Sequence, residues 1–358
     1  MSDPDAGAPS PDAELLRPTG LFGGVRRFLA RHHKKLWWLH SAYALGLGVF
    51  IITFAARGLL YVRWILLFVV AAWLISLLVF RVAGSGRHQK LETPVEKLRF
   101  LVMTYVLKNL YQGMLFFLLP FYWQTATAGT AGFGFLVLLA ACTLLATLDV
   151  VFDRVLMRWR LLASLYYGMA LFACLNLAIP ALLLVPAVWS LSLAAVGATI
   201  GFWTLHFRPR HLRRPVVAAV FGATLFAAWG AAWLVRRAIP PVPLTLAHAA
   251  VGPDILVDGR LAYEVTALHE SLMQQMVAVT DVQTLVDAGE EFVHVWRRNG
   301  TEILRLTPSR TAVEGDRVRL RSRLLRAQLP SHRAGPWTVD VETQHGQLIG
   351  RFGFRVSD

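Results

Sequence analysis

The chain changes its hydrophobic pattern once, near residue 240. Apolar residues fill seven largely uncharged stretches between Leu36 and Val235, and beyond Leu244 they alternate with polar residues. A helix needs roughly 20 mainly apolar residues to cross about 30 Å of hydrocarbon. Seven stretches come close to that length: Leu36–Phe54, Leu59–Phe80, Phe100–Phe121, Gly132–Val151, Leu161–Leu177, Ala187–Leu205 and Val216–Val235. The pattern therefore predicts an α-helical multi-pass membrane bundle with about seven spans.

Prolines and a capping motif are expected to set some helix ends. The fifth and sixth stretches share the run Leu161–Phe207, which contains no Asp, Glu, Lys or Arg. Pro180 and Pro186 are expected to mark the turn within it, because proline disfavours helix at itself and at the preceding residue. The third helix is expected to begin at Pro94, since Thr93-Pro94-Val95-Glu96 is a capping box with proline at the first helical position.

Lysine and arginine are concentrated in alternate loops. Six lie before the first span, five between the second and third, three between the fourth and fifth, and four between the sixth and seventh, which makes 18. The opposite loops and their edges hold two, Arg57 and Arg63. Because Lys and Arg of short loops stay on the cytoplasmic side, the N-terminus is predicted inside and the C-terminal domain outside. Arg236 and Arg237, after the last span, are the exception to this pattern.

These predictions divide the chain into four parts. Residues 1–35 are interpreted as a disordered and then basic cytoplasmic N-terminus, and residues 36–237 as the seven-span transmembrane domain. Residues 238–243 read as a Pro-rich linker that acts as a stiff extended spacer. Residues 244–358 are predicted to form a periplasmic β-sandwich domain.

The net charge of +14 belongs to the membrane half of the chain. Residues 244–358 hold 13 Arg and 14 acidic residues, so the positive excess falls on the predicted cytoplasmic face. Anionic lipid of the bilayer attracts charge there, and no nucleic-acid partner is predicted. Both cysteines, Cys142 and Cys174, lie in predicted spans. The outer domain is therefore expected to fold without disulfides.

The outer domain shows the period-two pattern of short strands. Strands are predicted at Arg260–Thr266, Met276–Val282, Phe292–Trp296, Ile303–Leu306, Trp337–Val341 and Leu348–Val356. Asn299-Gly300 is a strong hairpin signal. The pattern predicts an antiparallel all-β sandwich. Its predicted core contains Val293 or Trp296, Leu304, Val318, Leu320, Trp337, Val339, Val341, Leu348, Phe352 and Phe354.

Three segments of this domain carry a family resemblance. They are HVWRRNGTEI, the strand ending in Arg321-Ser322-Arg323, and GPWTVDVETQHGQLIGRFGF. Together they resemble domain of unknown function family 2914, over roughly the last third of the chain. The resemblance implies a bacterial inner (plasma) membrane protein with a periplasmic immunoglobulin-like domain. It implies no known activity, and therefore no catalytic residue and no cofactor.

The third span carries polar residues inside its apolar run. Tyr105, Lys108, Asn109 and Gln112 are predicted to share one helix face. Ionisable residues are rare at membrane depth and mark functional sites by default. The alternative is that this face packs inward and that Lys108 has a structural partner. Asp149 in the fourth span is the predicted partner, because pairing lowers the cost of burying both charges.

Arginine alternates along a strand of the outer domain. Arg317, Arg319, Arg321 and Arg323 are predicted to share one face, with Val318 and Leu320 on the other. A row of guanidinium groups could bind phosphate or carboxylate groups of an envelope glycan, a lipid or a protein partner. The alternative is a solvated strand whose charges pair across the sheet or prevent association at the sheet edge.

No other motif indicates chemistry. His269-Glu270-Ser271-Leu272-Met273 lacks the second histidine of a zinc motif, so no metal site is predicted, and no phosphate-binding loop is found. Gly197 and Gly201 on the sixth span, and an alanine stripe on the seventh, could pack the bundle or a homo-oligomer. The stripe contains Ala219, Ala223, Ala227 and Ala231.

The sequence thus favours a non-enzymatic membrane protein that presents a periplasmic recognition domain. The alternative is a small-solute or ion transporter, or a membrane-embedded enzyme, built around the polar face of the third span.

Overall fold

The structure is a computed structural model that describes residues 46, 49, 74, 94–148, 152, 156, 159–207, 209–256, 260–284, 289–313 and 316–358. Side chains are described from Lys108 onward within the first long helix. The first two predicted spans fall almost entirely outside these residues, and Asp149 lies outside them. All the elements below belong to one compact unit, residues 48–358.

Five long helices are described, and they form the bundle. They are α1 (Pro94–Thr125), α2 (Ala131–Thr147), α3 (Arg160–Leu183), α4 (Ala187–His206) and α5 (Pro215–Val235). The described part of helix α1 starts at Pro94, and Thr93 of the predicted capping box lies outside the described residues. Three helical stretches in the described residues are long and apolar enough to cross a membrane: Leu161–Leu183, Ala187–Thr204 and Pro215–Ala238. Helix α2, at 17 residues, is shorter.

The turn between α3 and α4 lies between Pro180 and Pro186, as predicted, but only Pro186 borders a helix end. Pro180 lies inside α3, which continues to Leu183, and the chain turns at Leu184 with a φ of +57°. A proline has no N–H to give to the carbonyl four residues earlier, here that of Asn176. The hydroxyl of Ser190 on α4 donates to this carbonyl instead, at 3.5 Å. The helix therefore passes through the proline, and the predicted end at Leu177 was wrong.

The two glycines of α4 allow close packing on α3. A Cβ at Gly197 would lie 2.6 Å from Leu175 Cδ1, and one at Gly201 would lie 2.5 Å from Leu171 Cδ2. These glycines therefore serve the bundle itself. The alanine stripe of α5 behaves differently, because Ala219, Ala223, Ala227 and Ala231 are all exposed.

Nine strands in the described residues form two sheets after the bundle. In chain order they are β1 (Thr245–Gly252), β2 (Ala267–His269), β3 (Met276–Gln283), β4 (Phe292–Arg298), β5 (Thr301–Leu306), β6 (Ser309–Val313), β7 (Arg317–Leu324), β8 (Gly335–Thr343) and β9 (Leu348–Ser357). The first sheet has the order β1-β3-β7-β6 and the second β2-β9-β8-β4-β5. All pairings are antiparallel except that of β2 with β9.

The hairpin between β4 and β5 turns at Asn299-Gly300, as predicted. Both residues have positive φ, +49° and +79°, which is the geometry of a two-residue type I′ turn. The predicted strand Arg260–Thr266 was wrong. That segment instead crosses the end of β1, where the carbonyl of Tyr263 approaches Gly252 so closely that a Cβ there would lie 2.3 Å away.

The core of the sandwich lies between the two sheets. Trp296, Val318, Leu320, Trp337, Val339, Val341 and Phe354 are buried, as predicted. The alternation selects Trp296 rather than Val293 for the inner face of β4, and Leu304 and Phe352 are partly buried against the core. Leu348 was a wrong prediction, because the register of β8 and β9 shifts between Val341 and Glu342. The shift brings Ile349 into the core instead.

The Pro-rich linker is compact and buried, so the predicted extended spacer was wrong. Val242 packs into the core of the bundle, and Leu244 packs into the core of the sandwich. The linker turns tightly, with Leu244 N donating to Pro241 O at 2.9 Å. The apolar side chains of this segment pack on the bundle on one side and on the sandwich on the other, so the linker folds against both.

Further contacts join the bundle to the sandwich. Arg236 Nε, just after α5, donates to His345 O at 2.8 Å in the β8–β9 turn. Ala187 N, the first residue of α4, donates to Glu290 Oε2 at 2.7 Å. Ala187 also belongs to the apolar cluster formed by β3, β4, β7, β8 and β9. The sandwich thus contacts the bundle at the start of α4 and at the end of α5.

Candidate functional site

Strand β7 carries its arginines on the face that points away from the core. Val318, Leu320, Ser322 and Leu324 are buried, whereas the arginines between them are exposed or half-buried. This is the alternation that the sequence predicted, and it gives the first sheet a basic outer face. Arg317 and Arg323 are exposed, and Arg319 and Arg321 are half-buried.

Arg319 is committed to a partner within the sheet. It lies opposite Asp281 on β3 and donates two hydrogen bonds to that carboxylate, at 2.7 and 2.8 Å. The hydrogen bonds from Arg319 hold the pKa of Asp281 below its ordinary value, although partial burial opposes this shift. A bidentate pair of this kind fixes strand register. Arg319 is therefore structural, and the predicted row of four is reduced to three candidates.

Arg321 lies beside it in a different environment. Its neighbours across the sheet are Val279 on β3 and Ser309 on β6, so neither strand places a carboxylate directly opposite it. Its Nε is buried and has no hydrogen-bond partner among the residues that the structure describes. A buried donor without a partner is costly. Arg321 thus differs from Arg319 in having a guanidinium nitrogen that no described residue accepts from, and the exposed Arg323 follows it on the same face.

In the second sheet, arginines donate hydrogen bonds to carboxylates of the same sheet. Asp340 on β8 is 1% exposed, and Arg297 Nε and Arg351 Nη2 each donate to it at 2.8 Å. Arg305 Nη1 donates to Glu342 at 3.0 Å. Burial raises the pKa of Glu342 above its ordinary value, against the opposing effect of Arg305. These three arginines are used within the sheet.

A buried polar network lies in the core between the sheets, and the sequence reasoning missed it. His294 on β4 is fully buried, and its Nε2 and Nδ1 lie 3.0 Å from Thr280 Oγ1 and 2.8 Å from Ser322 Oγ. Trp296 Nε1 also donates to Ser322 Oγ, at 3.2 Å. Burial lowers the pKa of His294 to about 4, so the ring is neutral near pH 7. The signal was present, because His294 alternates with the core residues Phe292 and Trp296.

The polar face of the third span is divided by the structure. Lys108 and Gln112 are buried at 4% exposure each, whereas Asn109 is exposed. Lys108 and Asn109 are not without partners. The side chain of Tyr105 and all of Asp149 lie outside the described residues, so the pairing of Lys108 with Asp149 stays a prediction. Tyr111, which the sequence reasoning did not select, is buried on the same face.

One group of side chains could contact a metal ion. Glu270, His332 and Asp358 bring potential ligand atoms within 4.8 Å of one another, and the last two residues are exposed. The Glu270 carboxylate already accepts a hydrogen bond from Arg333 N at 2.8 Å. Exposed clusters of this composition are common without an ion.

An apolar helical bundle joined to a β-sandwich with a basic outer face defines the class of protein. The chain belongs to a family of unknown function (DUF5924), whose model matches residues 24–276. A second model, protein of unknown function (DUF2914), matches residues 289–356 and confirms the resemblance noted in the sequence. The comparison with curated proteins gave no match, and neither did the comparison with solved structures.

The boundary between the two family matches falls inside the sandwich. The first match ends at residue 276, where β3 begins, and the second starts at residue 289, just before β4. The sheet β1-β3-β7-β6 therefore combines strands from both regions. The smaller match alone would leave β7 without its partner β3, and hence Arg319 without Asp281.

Proposed function

We propose that this chain is a non-enzymatic integral membrane protein of the bacterial inner membrane. It presents its sandwich to the periplasm, where the outer face of β7 binds an anionic group of an envelope glycan, a lipid or a protein partner. The bundle serves as a multi-pass anchor of about seven spans.

Membrane insertion is supported by the exposure of α5. Only 6% of the most apolar stretch of this helix is buried within the protein. Phe226 and Leu234 are each 80% exposed, and Val216 is 73% exposed. An apolar surface this continuous is rare on proteins in water, and hydrocarbon would cover it at no cost.

The predicted topology is supported by the contacts between bundle and sandwich. The start of α4 and the end of α5 both contact the sandwich, and the alternation of spans predicts both ends outside. The arrangement also accounts for Arg236, the exception to the charge pattern. Its guanidinium group donates to His345 O and Trp233 O and lies over the Trp233 ring, 4.8 Å from the centroid. Arg236 thus has a use on the periplasmic side.

Reporter fusions test this topology. A phosphatase that is active only outside the cytoplasm should work when fused after Pro243 and should be silent in the Arg208–Arg214 loop. Activity in that loop, or silence after Pro243, would contradict the orientation.

The recognition role is carried by one observation. The buried Nε of Arg321 has no hydrogen-bond partner in the part of the chain that the structure describes, on a face whose neighbouring arginine is already paired. The strand order supports it by analogy. Immunoglobulin-like sandwiches have the strand order ABED in one sheet and GFC in the other. The order β1-β3-β7-β6 matches ABED, and β9-β8-β4 matches GFC. Trp296 lies on β4, where strand C of these sandwiches carries its buried tryptophan. That fold serves recognition in many proteins, but function has to be argued from the site.

A binding experiment with matched variants tests this role. The full chain in neutral-lipid nanodiscs would be sedimented with isolated cell-wall sacculi and captured on beads coated with phosphatidylglycerol. We expect Arg321→Gln/Arg323→Gln to weaken binding. Each 1.4 kcal/mol of lost binding free energy raises the Kd about tenfold. Arg326→Gln/Arg355→Gln removes the same charge from exposed positions elsewhere and should change binding little. Equal losses of binding in both variants would show that the loss comes from non-specific charge and not from this site.

A second candidate function is favoured by the burial of Lys108 and Gln112 inside the bundle. Polar side chains in this position suit a small-solute or ion transporter, or a membrane-embedded enzyme. Two variants separate the candidates. Loss of the cellular phenotype from Lys108→Ala alone would favour transport, and loss from Arg321→Ala alone would favour the recognition domain.

A further inference from the structure

Tyr111 and Gln112, which are adjacent on α1, each have a buried polar atom without a hydrogen-bond partner among the described residues. Tyr111 is 3% exposed and Gln112 is 4% exposed. The Tyr111 hydroxyl and the Gln112 Oε1 are both buried, and neither has a hydrogen-bond partner among the residues that the structure describes. Buried polar groups are almost always hydrogen-bonded, so each exception needs an explanation.

The rest of the bundle shows that its buried hydroxyl groups are normally satisfied. Tyr122, on the same helix three turns further on, donates to Ala173 O at 3.0 Å and accepts from Asn176 Nδ2 at 3.1 Å. Tyr166 on α3 donates to Cys142 O at 2.8 Å. Thr143 and Ser192 bond to carbonyls of their own helices. Two unsatisfied groups on adjacent residues are therefore a local feature of one turn of α1.

The surroundings of the Tyr111 ring are aromatic and buried. The Tyr111 ring packs edge-on against Tyr166 and Tyr167, with ring centroids 5.5 and 6.2 Å away, and against Phe152 at 6.4 Å. These three rings are almost completely buried. In such low-dielectric surroundings an unpaired polar atom is especially costly. Lys108 lies one turn earlier on the same face and is also buried.

We propose that Tyr111 and Gln112 form an internal binding site for a small neutral molecule that both donates and accepts hydrogen bonds. The amide oxygen of Gln112 requires a donor, and the phenol of Tyr111 can donate or accept. The burial of both side chains limits the occupant to the size of water or of a small hydroxylated solute. This site is independent of the recognition role of β7.

Apolar variants test occupancy, because occupied and empty sites respond with opposite signs. Removing an unsatisfied polar atom stabilises a protein or leaves it unchanged, whereas removing one that binds a ligand destabilises it. We expect Tyr111→Phe and Gln112→Met each to lower the Tm of the full chain in detergent by about 2 °C or more. The double variant should lose less than the sum, because both changes remove one shared occupant. Tyr122→Phe, which breaks contacts within the protein, calibrates the loss of one satisfied hydroxyl.

Measurements on the unchanged protein identify the occupant and do not depend on the variants folding. In water-edited solid-state NMR of the full chain in liposomes, magnetisation reaching the labelled Tyr111 ring would identify water. A Tm that rises with added glycerol more in the unchanged protein than in the double variant would identify a hydroxylated solute. Single variants that melt at or above the unchanged protein, or the absence of both signals, would overturn the proposal.

Discussion

The sandwich and the bundle differ in where their large apolar side chains lie. The sandwich holds its apolar residues between two sheets and binds its outer charges to one another, as in Arg319 with Asp281 and in Arg351 with Asp340. In α5 the large apolar residues point outward, with Phe226 and Leu234 each 80% exposed. Both regions bury polar residues, such as His294 in the sandwich and Asn176 in the bundle.

Under the proposed function, this difference matches the surroundings of each region, water for the sandwich and lipid for the bundle. In water, burial of apolar surface drives folding at about 25 cal/mol per Å². In lipid that driving force is absent between helices, so close packing and hydrogen bonds between helices replace it. The bundle shows both replacements, the glycines of α4 against α3 and the bond between Asn176 and Tyr122. The predictions below probe this contrast.

The largest effect is expected in the core of the sandwich. Trp337 is 1% exposed, its ring stacks on Phe354 at 6.0 Å, and its Nε1 donates to Arg333 O at 2.7 Å. Trp337→Ala should lower the free energy of unfolding by about 3–5 kcal/mol, because it leaves a large cavity. Urea unfolding of the segment Leu244–Asp358, followed by circular dichroism, measures this. The segment should fold alone as a β-rich monomer without oxidant, since it has no cysteine.

Tyr263→Ala is the matched control, because this ring is 61% exposed on the same domain. We expect a change within about 0.5 kcal/mol. A helical spectrum for the segment, or an equal loss in both variants, would contradict the sandwich core described above.

The second effect tests the solvent of α5. Phe226 lies near the middle of this helix, so in a bilayer Phe226→Arg places a charge in hydrocarbon. Charged residues at the centre of a span oppose insertion by about 2.5–3.5 kcal/mol. We therefore expect a clear fall in the amount of folded protein in the membrane, measured by size-exclusion profiles in mild detergent. Tyr263→Arg, an equivalent change on the sandwich surface, should leave the amount unchanged, and the same result for Phe226→Arg would place α5 in water.

The third effect depends on pH and concerns the polar network of the sandwich core. Burial lowers the pKa of His294 to about 4, against about 6.5 in an unfolded chain. Between these values the unfolded chain binds the additional proton. Stability should therefore be complete above about pH 6.5 and fall by roughly 3 kcal/mol as the pH drops to about 4. Urea unfolding of the isolated domain at successive pH values measures the slope.

Substitution identifies the source of that slope. His294→Phe removes the titrating group and should flatten stability over this pH range, although it also removes the bonds to Thr280 and Ser322. His269→Gln, at an exposed position, should keep the slope. A slope that survives in His294→Phe would assign the acid sensitivity to other groups.

Much of the fold could be predicted because its signals are local. The apolar runs that form the described helices, the strand alternation and the Asn299-Gly300 turn each depend on a few consecutive residues. The errors came from contacts between distant residues. Pro180 stays helical because Ser190 satisfies a freed carbonyl, and Ile349 replaces Leu348 because of a register shift between two strands. Neither event is visible in one segment alone.

The candidate site was predicted as a pattern but not as a set of partners. Alternation placed four arginines on one face of β7, yet only the pairing of β3 with β7 shows that Arg319 is held by Asp281 and that Arg321 faces Val279. Likewise, the sequence gives Tyr111 the pattern of an ordinary buried position. Only the structure shows that its hydroxyl has no hydrogen-bond partner among the described residues. Which polar group is satisfied is a property of the assembled fold.

The smallest effect is expected where the two regions meet. Ala187 begins α4 and has no capping side chain from its own helix, so the free N–H there is satisfied by Glu290 of the sandwich. Burial raises the pKa of Glu290 above its ordinary value, despite the hydrogen bond from Ala187. The charged carboxylate is therefore less favourable in the folded chain than in the unfolded one, and stability should rise as the pH falls through the raised pKa.

The two effects can be separated by two substitutions. Glu290→Gln keeps an oxygen that accepts from Ala187 N and removes the buried charge, so the Tm of the full chain in detergent should be equal to or above that of the unchanged protein. Glu290→Ala removes the acceptor and should cost about 1 kcal/mol, as loss of a helix cap does. Glu291→Ala alters the exposed neighbour and should have little effect. If Gln and Ala lowered the Tm equally, the negative charge itself would hold α4 against the sandwich, and the contact would depend on the helix dipole rather than on one hydrogen bond.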